Sequence, residues 1–267
     1  MAGLFRFFRP KSPSTSESAP PPTAEEHELR MSVTEHLEEL RSRLLRAMLA
    51  LIIGTIAGLV VADPVLEYLI EPYASLYPEG ERELIVLGPT GGITVYLRVA
   101  LLAGGVIAVP MITYQLLLFI LPGLTRKERR YVFWSFPAIV GLFIGGVLFA
   151  WFILIPPAIH FLEGFQGDIF RPSWAAGQYL GFITSLLFWM GVAFEVPLVF
   201  FILAVLGLVE AKTLLRNWRG AVVATAVVAA LITPTVDPVN MFLVMGPLLG
   251  LYVASIGLVA IGRRIGG

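Results

Sequence analysis

Three carboxylates stand where a carboxylate is either costly or conspicuous. Glu195 sits inside the apolar stretch Gly191-Val192-Ala193-Phe194-Glu195-Val196-Pro197. An ionisable group deep in a bilayer costs on the order of 2.5–3.5 kcal/mol on insertion scales. Pro197 also removes a backbone donor and frees the carbonyl of Ala193. A polar kink facing protein or a water-filled recess accommodates both features, and so does a buried, protonated Glu bonded to a neighbouring helix. Glu39 and Glu128 are acids in basic surroundings: Arg41 and Arg43 follow Glu39, and Glu128 lies within Arg126-Lys127-Glu128-Arg129-Arg130. Such carboxylates can grip guanidinium groups through paired hydrogen bonds. The simpler use of Glu39 is a pair with Arg43 one helical turn on, worth about 0.2–0.5 kcal/mol.

Two further polar groups interrupt apolar runs. Gln115 follows Tyr114 and the kink-prone Pro110, and an amide there finds its partner on another helix. The turn Thr233-Pro234-Thr235-Val236-Asp237-Pro238-Val239-Asn240 joins two apolar segments. Its prolines end a helix, and Asp237 or Asn240 can cap the next. Other chemistries lack their residues. There is no cysteine, the three histidines (His27, His36 and His160) are far apart, and neither a His-Glu-x-x-His motif nor a Walker-type phosphate loop occurs. The sequence therefore predicts no metal, no cofactor, no ATP site and no enzyme.

The elements that must position these groups are membrane spans. Of the 267 residues, 57% are hydrophobic and 14% charged, too little charge to coat a water-facing surface, where about 25% is usual. Met31 opens a helical pattern in which Val33, Leu37, Leu40 and Leu44 recur at three- and four-residue steps, with Ser32 or Thr34 available as a cap. Apolar spans follow at about residues 44–62, 93–121, 131–156, 179–209, 218–232 and 241–262, against a need of roughly 17–25 residues each. The second and fourth are long enough to tilt or bend, and the fifth is short, either a full span across thinned lipid or part of a re-entrant hairpin. Arginine and lysine crowd the N-terminal zone, the second-to-third and fourth-to-fifth connections and the C-terminus, which predicts that both termini are cytoplasmic. The zone 1–30, rich in Pro, Ser, Thr and Ala, reads as a disordered cytoplasmic tail, residues 31–262 as one membrane domain, and 263–267 as a cytoplasmic C-terminus. The outside connections carry Tyr68, Tyr73, Tyr77 and Trp174, which suit interfacial helices and an ordered cap. With zero net charge, nucleic acid is not an expected partner.

Several stretches, taken in order, resemble the TatC family, the core receptor subunit of the twin-arginine protein translocase. They are His36-Leu37-Glu38-Glu39-Leu40-Arg41-Ser42-Arg43-Leu44, then Pro110 with Tyr114-Gln115, Phe119 and Pro122-Gly123-Leu124. Glu128-Arg129-Arg130, Phe194-Glu195-Val196-Pro197, and Thr233-Pro234 with Asp237 complete the set. The resemblance implies an all-α membrane protein of six transmembrane helices in a concave, cup-like bundle, with two capped outside loops and short fifth and sixth helices. It implies a plasma-membrane receptor for folded precursors with twin-arginine signal peptides, driven by the proton-motive force, self-associating in a larger complex with single-span TatA and TatB. Glu39, Glu128 and Arg41 would bind the signal peptide, Glu195 and Gln115 would form an intramembrane polar site, and Thr233, Asp237 and Asn240 would touch partner subunits. Departures from the family pattern fall at Leu117, Met241 and Val253, where Trp, a polar residue and an acid are common. A proton- or ion-coupled solute transporter using Glu195 as a relay is the rival reading, and it leaves Glu39 and Glu128 unexplained.

Overall fold

The computed structural model describes residues 33–77, 84–165, 174–233 and 237–266. The expected tail, residues 1–30, and Ser32 lie outside the described residues.

Helix α1 (Val33–Val60) is continuous, so the amphipathic lead-in and the first span are one rod with Thr34 inside it. A short helix α2 (Ala62–Ala74) follows on the far side. Helix α3 (Gly91–Ile120) is the second span, and it ends in the 3-10 turn Leu121–Gly123, where Pro122 can no longer donate to the ladder. The third span begins in α4 (Arg126–Trp134), continues in α5 (Phe136–Phe149) and passes through a π-helical segment, Ala150–Leu154, into α6 (Ile155–Gly164). The helix thus runs on past residue 156, the expected end of this span. Pro156 and Pro157 delete the bonds to the carbonyls of Phe152 and Ile153, and the wider π turn absorbs the change instead of ending the helix. The fourth span is α7 (Ala176–Phe194) and α8 (Val196–Val205), broken at Glu195 as Pro197 requires. Gly207, at φ +76, turns the chain into α9 (Ala211–Arg216).

The fifth span, α10 (Trp218–Ile232), has only 15 residues. The sixth, α11 (Pro238–Gly266), has 29, so it is not the short helix expected. Among the described residues, five helical stretches are long and apolar enough to cross a bilayer, with α10 as the shorter sixth. The bundle is all-α and cup-like, and six crossings return the chain to the side on which α1 begins.

Lipid tails are as apolar as leucine, so helices in a membrane associate through close packing. The α1–α3 pair shows how. A Cβ on Gly54 would stand 2.4 Å from the Gly104 carbonyl oxygen, and one on Gly58 would stand 2.1 Å from that of Ala100. The two helices run antiparallel, and Tyr96 seals their outer end by donating to the Leu59 carbonyl at 3.0 Å. Gly146 of α5 similarly admits α7, with the Met190 carbonyl 2.5 Å from where its Cβ would be. The deepest core is built on α7, with Tyr179, Ile183, Leu186 and Met190 fully buried.

The outer connections form the expected ordered cap. Ile85 donates to the Trp174 carbonyl at 3.1 Å and accepts from the Ala176 N–H at 2.9 Å, a one-residue parallel bridge. Tyr73, Tyr77, Trp174 and Tyr179 cluster beneath it. Glu163 accepts from the Tyr77 hydroxyl and, at 3.0 Å, from the Trp174 indole.

Candidate functional site

The register that brings Gly54 to Gly104 also fixes what faces what about three to five turns toward the basic end. Residue numbers rise on α1 as they fall on α3, so Arg43 meets Gln115 and His36 meets Phe119. The His36 and Phe119 rings stack at 4.5 Å between centroids, and Arg43 Nη1 donates to Gln115 Oε1 at 3.5 Å. The interhelical partner expected for Gln115 is therefore Arg43, and Gln115 itself is buried. Its Nε2 lies 3.9 Å from the Met111 sulfur.

Arg43 also holds Glu39. Its Nη2 and Nε lie 3.2 and 3.4 Å from Glu39 Oε1. The Glu39 side chain is 15% exposed and that of Arg43 22%, so the pair is far more enclosed than an ordinary surface bridge. The second Glu39 oxygen, Oε2, is buried and has no hydrogen-bond partner among the described residues. A recess of about 380 Å³ opens beside it, lined by Glu35, Glu38, Glu39, Ser42, Arg43 and Arg46. Arg41 is exposed. Glu128 lies in the first turn of α4, directly after the turn that ends α3, and so at the same end of the bundle as Glu39.

Glu195 stands apart from this cluster, and no hydrogen bond joins it to Gln115. It is the hinge residue between α7 and α8; its own backbone carbonyl accepts from Leu198 and Val199 at 3.0 and 2.9 Å. Carboxylate Oε1 is buried without a partner. Around the hinge, Phe149 and Phe194 pack at 5.2 Å and the Phe143 ring fills the space above Gly191. The same break shapes an apolar groove of about 610 Å³, between the fourth, fifth and sixth spans, walled by residues such as Val196, Phe200, Ala224, Val228 and Leu251.

In the third expected cluster Asp237 and Asn240 bond to each other. Asp237 Oδ1 accepts from the Asn240 N–H at 2.7 Å and Oδ2 from the Asn240 amide at 3.0 Å, which caps α11. Thr233 is buried and donates to the Ala229 carbonyl at 2.7 Å. Of the three residues Asn240 is the most enclosed, and its Oδ1 has no partner.

Sequence reasoning found Glu39 and its neighbour Arg43 but gave Arg43 no part beyond that pair. The small residues at 54, 58, 100 and 104, spaced one turn apart, were the signal that would have placed it opposite Gln115. No group of three or more His, Cys, Asp or Glu side chains able to hold a metal occurs among the described residues. What the Glu39 cluster can do chemically is bind a planar cation, since it offers carboxylate oxygens in an enclosed setting where charge-assisted bonds are strong.

The family model described as Sec-independent protein translocase protein (TatC) matches residues 35–247. The chain is 34% identical over 235 residues to the Sec-independent protein translocase protein TatC of Synechocystis sp., covering 87% of this chain and 89% of that one. It is also 34% identical over 229 residues to the protein of the same name from Koribacter versatilis, covering 85% and 84% of the two chains. Among solved structures it is similar to a crystal structure described as the twin arginine translocase receptor TatC, with 35% identity and a TM-score of 0.77. That match covers 86% of this chain and all of that one.

Proposed function

This chain belongs to the TatC family of Sec-independent protein translocase components, and on that footing we propose that it is the translocase's receptor for twin-arginine signal peptides. It is a multi-pass membrane protein with a role in transport rather than catalysis. The observation that carries the receptor reading is the Glu39 carboxylate, enclosed, held by an arginine on one oxygen and unfilled on the other.

In this reading both termini are cytoplasmic and the membrane is the bacterial plasma membrane, as the distribution of arginine and lysine supports. The client presents two guanidinium groups at the membrane surface, one to Glu39 and one to Glu128. Arg41, Arg46, Arg129 and Arg130 surround these acids and repel a cation that does not reach a carboxylate, which sharpens the demand for both contacts. The client's hydrophobic segment then lies along the concave helix face near Glu195. The outer turn around Thr233, Asp237 and Asn240 meets the single-span subunits TatA and TatB, and several copies assemble. Energy comes from the proton-motive force, consistent with a sequence that has no phosphate-binding loop.

Binding of a labelled Arg-Arg signal peptide and of its Lys-Lys twin to the protein in nanodiscs tests this. Selective Arg-Arg binding that Glu128→Ala or Glu39→Gln destroys is the expected result. Equal binding of both peptides, indifferent to either acid, overturns the receptor reading and brings the Glu195 transporter forward.

A further inference from the structure

Resting on that receptor reading, we infer that Arg43 is an internal stand-in for one of the client's guanidinium groups: it holds Glu39 in the empty receptor and must be displaced by an incoming arginine. The geometry is that of a provisional partner. Both Arg43 nitrogens converge on Oε1, at 3.2 and 3.4 Å, and Oε2 is left buried and unfilled. A guanidinium in its strongest arrangement lays two parallel N–H groups on the two oxygens of one carboxylate. Arg43, anchored one turn away on the same helix, engages only one oxygen. An arginine arriving from outside α1 is free of that constraint and can use both.

Displacement also has somewhere to go. Gln115 Oε1, on the facing helix, already accepts from Arg43 Nη1 at 3.5 Å. When Glu39 turns to a client, Arg43 can close that distance onto a neutral acceptor, so its charge keeps a hydrogen-bond partner on α3. The Arg43 side chain is 22% exposed, so part of the guanidinium stays hydrated throughout.

Competition of this kind sets a threshold that a guanidinium clears more easily than an ammonium. A lysine ammonium is a compact point charge that cannot span both carboxylate oxygens in a planar fork. It would have to evict a two-nitrogen contact with a weaker one. A guanidinium exchanges like for better. Breaking the Arg43–Glu39 contact costs the same whichever cation arrives, so Arg43 sets a threshold that the stronger guanidinium contact clears and the weaker ammonium contact does not. The plain alternative is that Arg43 merely bolts α1 to α3 through Gln115.

The two roles predict opposite signs. Peptide affinity is measured on the full chain in nanodiscs for the wild type, Arg43→Gln, Arg43→Lys and Glu39→Gln. Arg43→Gln removes the charge while leaving a polar amide, and should tighten the Arg-Arg peptide about two- to fivefold, the scale of releasing one partly exposed ion pair. The Lys-Lys peptide should gain by a similar factor, because the cost removed does not depend on the incoming cation. Arg43→Lys should shift both affinities in the same direction by less. Weaker or unchanged Arg-Arg binding in both Arg43 variants overturns the stand-in and leaves a bolt. Glu39→Gln separates the two readings: if it abolishes binding while the Arg43 variants only weaken it, the inference alone fails, whereas binding indifferent to Glu39 and Glu128 ends the receptor reading itself.

Discussion

Gly54 and Gly104 face each other so closely that the carbonyl oxygen of one lies 2.4 Å from where a Cβ on the other would be. The neighbour is backbone and cannot step aside as a flexible side chain could. This contact sets the register that carries Arg43 to Gln115 and His36 to Phe119.

Gly54→Ala should therefore lower the melting temperature in detergent, with an overpacking cost of about 1–3 kcal/mol, and weaken Arg-Arg peptide binding through the displaced α1. Gly105→Ala is the control. A Cβ there meets nothing within 4 Å, and alanine's better helix propensity, up to about 1 kcal/mol, should leave stability equal or higher. Equal melting of the two variants would show that close packing here does not matter.

Asp237→Ala should destabilise α11 by about 0.5–2 kcal/mol as a lost cap, with an added cost because the buried Asn240 side-chain amide also loses its bond to that carboxylate. Asp237→Asn keeps an acceptor for the Asn240 N–H and should recover most of the loss. Thermal unfolding measures this. Co-purification with the single-span subunits, done in parallel, tells a folding effect from a contact effect: Asp237→Asn that melts normally yet fails to hold TatA or TatB would locate a partner contact at this turn.

The cap over the outer connections should titrate late. Burial, and then the Glu163 carboxylate that its hydroxyl donates to, push the Tyr77 pKa well above the ordinary tyrosine value; burial also raises Tyr73. A folded-state value above the unfolded one means that this group's contribution to stability is complete below about pH 10, the unfolded tyrosine value. It is lost as pH rises through the higher folded value. Glu163→Gln removes the charge and should bring tyrosinate formation at Tyr77 to lower pH. Ultraviolet difference titration against Tyr77→Phe reads it, and coincident curves for wild type and Glu163→Gln would refute the coupling.

Helix α10 spans 15 residues, roughly 22 Å at 1.5 Å per residue, against a hydrocarbon core of about 30 Å. Such a mismatch thins lipid locally at modest cost per ångström. Adding one turn of leucines to α10 should impair export of a folded client while leaving signal-peptide binding intact. Export at the normal rate would remove thinning from the mechanism.

What was legible in the sequence was local. The pair between Glu39 and Arg43 follows from helical spacing alone, the break at Glu195 from Pro197, and the Asp237 cap from the residues beside it. The count of six spans followed from composition. What was not legible depends on how two helices are rotated and staggered against each other. Neither Gln115 nor Arg43 names the other, and Glu163 gives no sign of Tyr77, because each pairing is decided by close contacts elsewhere along the helices. The sixth helix was expected short and is long, since its apolar stretch runs on as helix past the span and into Arg263, whose Nη2 meets Glu210 at 2.7 Å. The third span outlasts its prolines because a π turn makes room for them.

The bridge between Ile85 and Ala175 has a mechanical consequence. It laces the connection after the first span to the one before the fourth, so those four spans share one closed rim on the outer side. Among the described residues no such bridge reaches α10, which leans chiefly on α11. The molecule is a stiff frame with one compliant leaf, and a load that widens the cup will deflect α10 before it parts the first four spans.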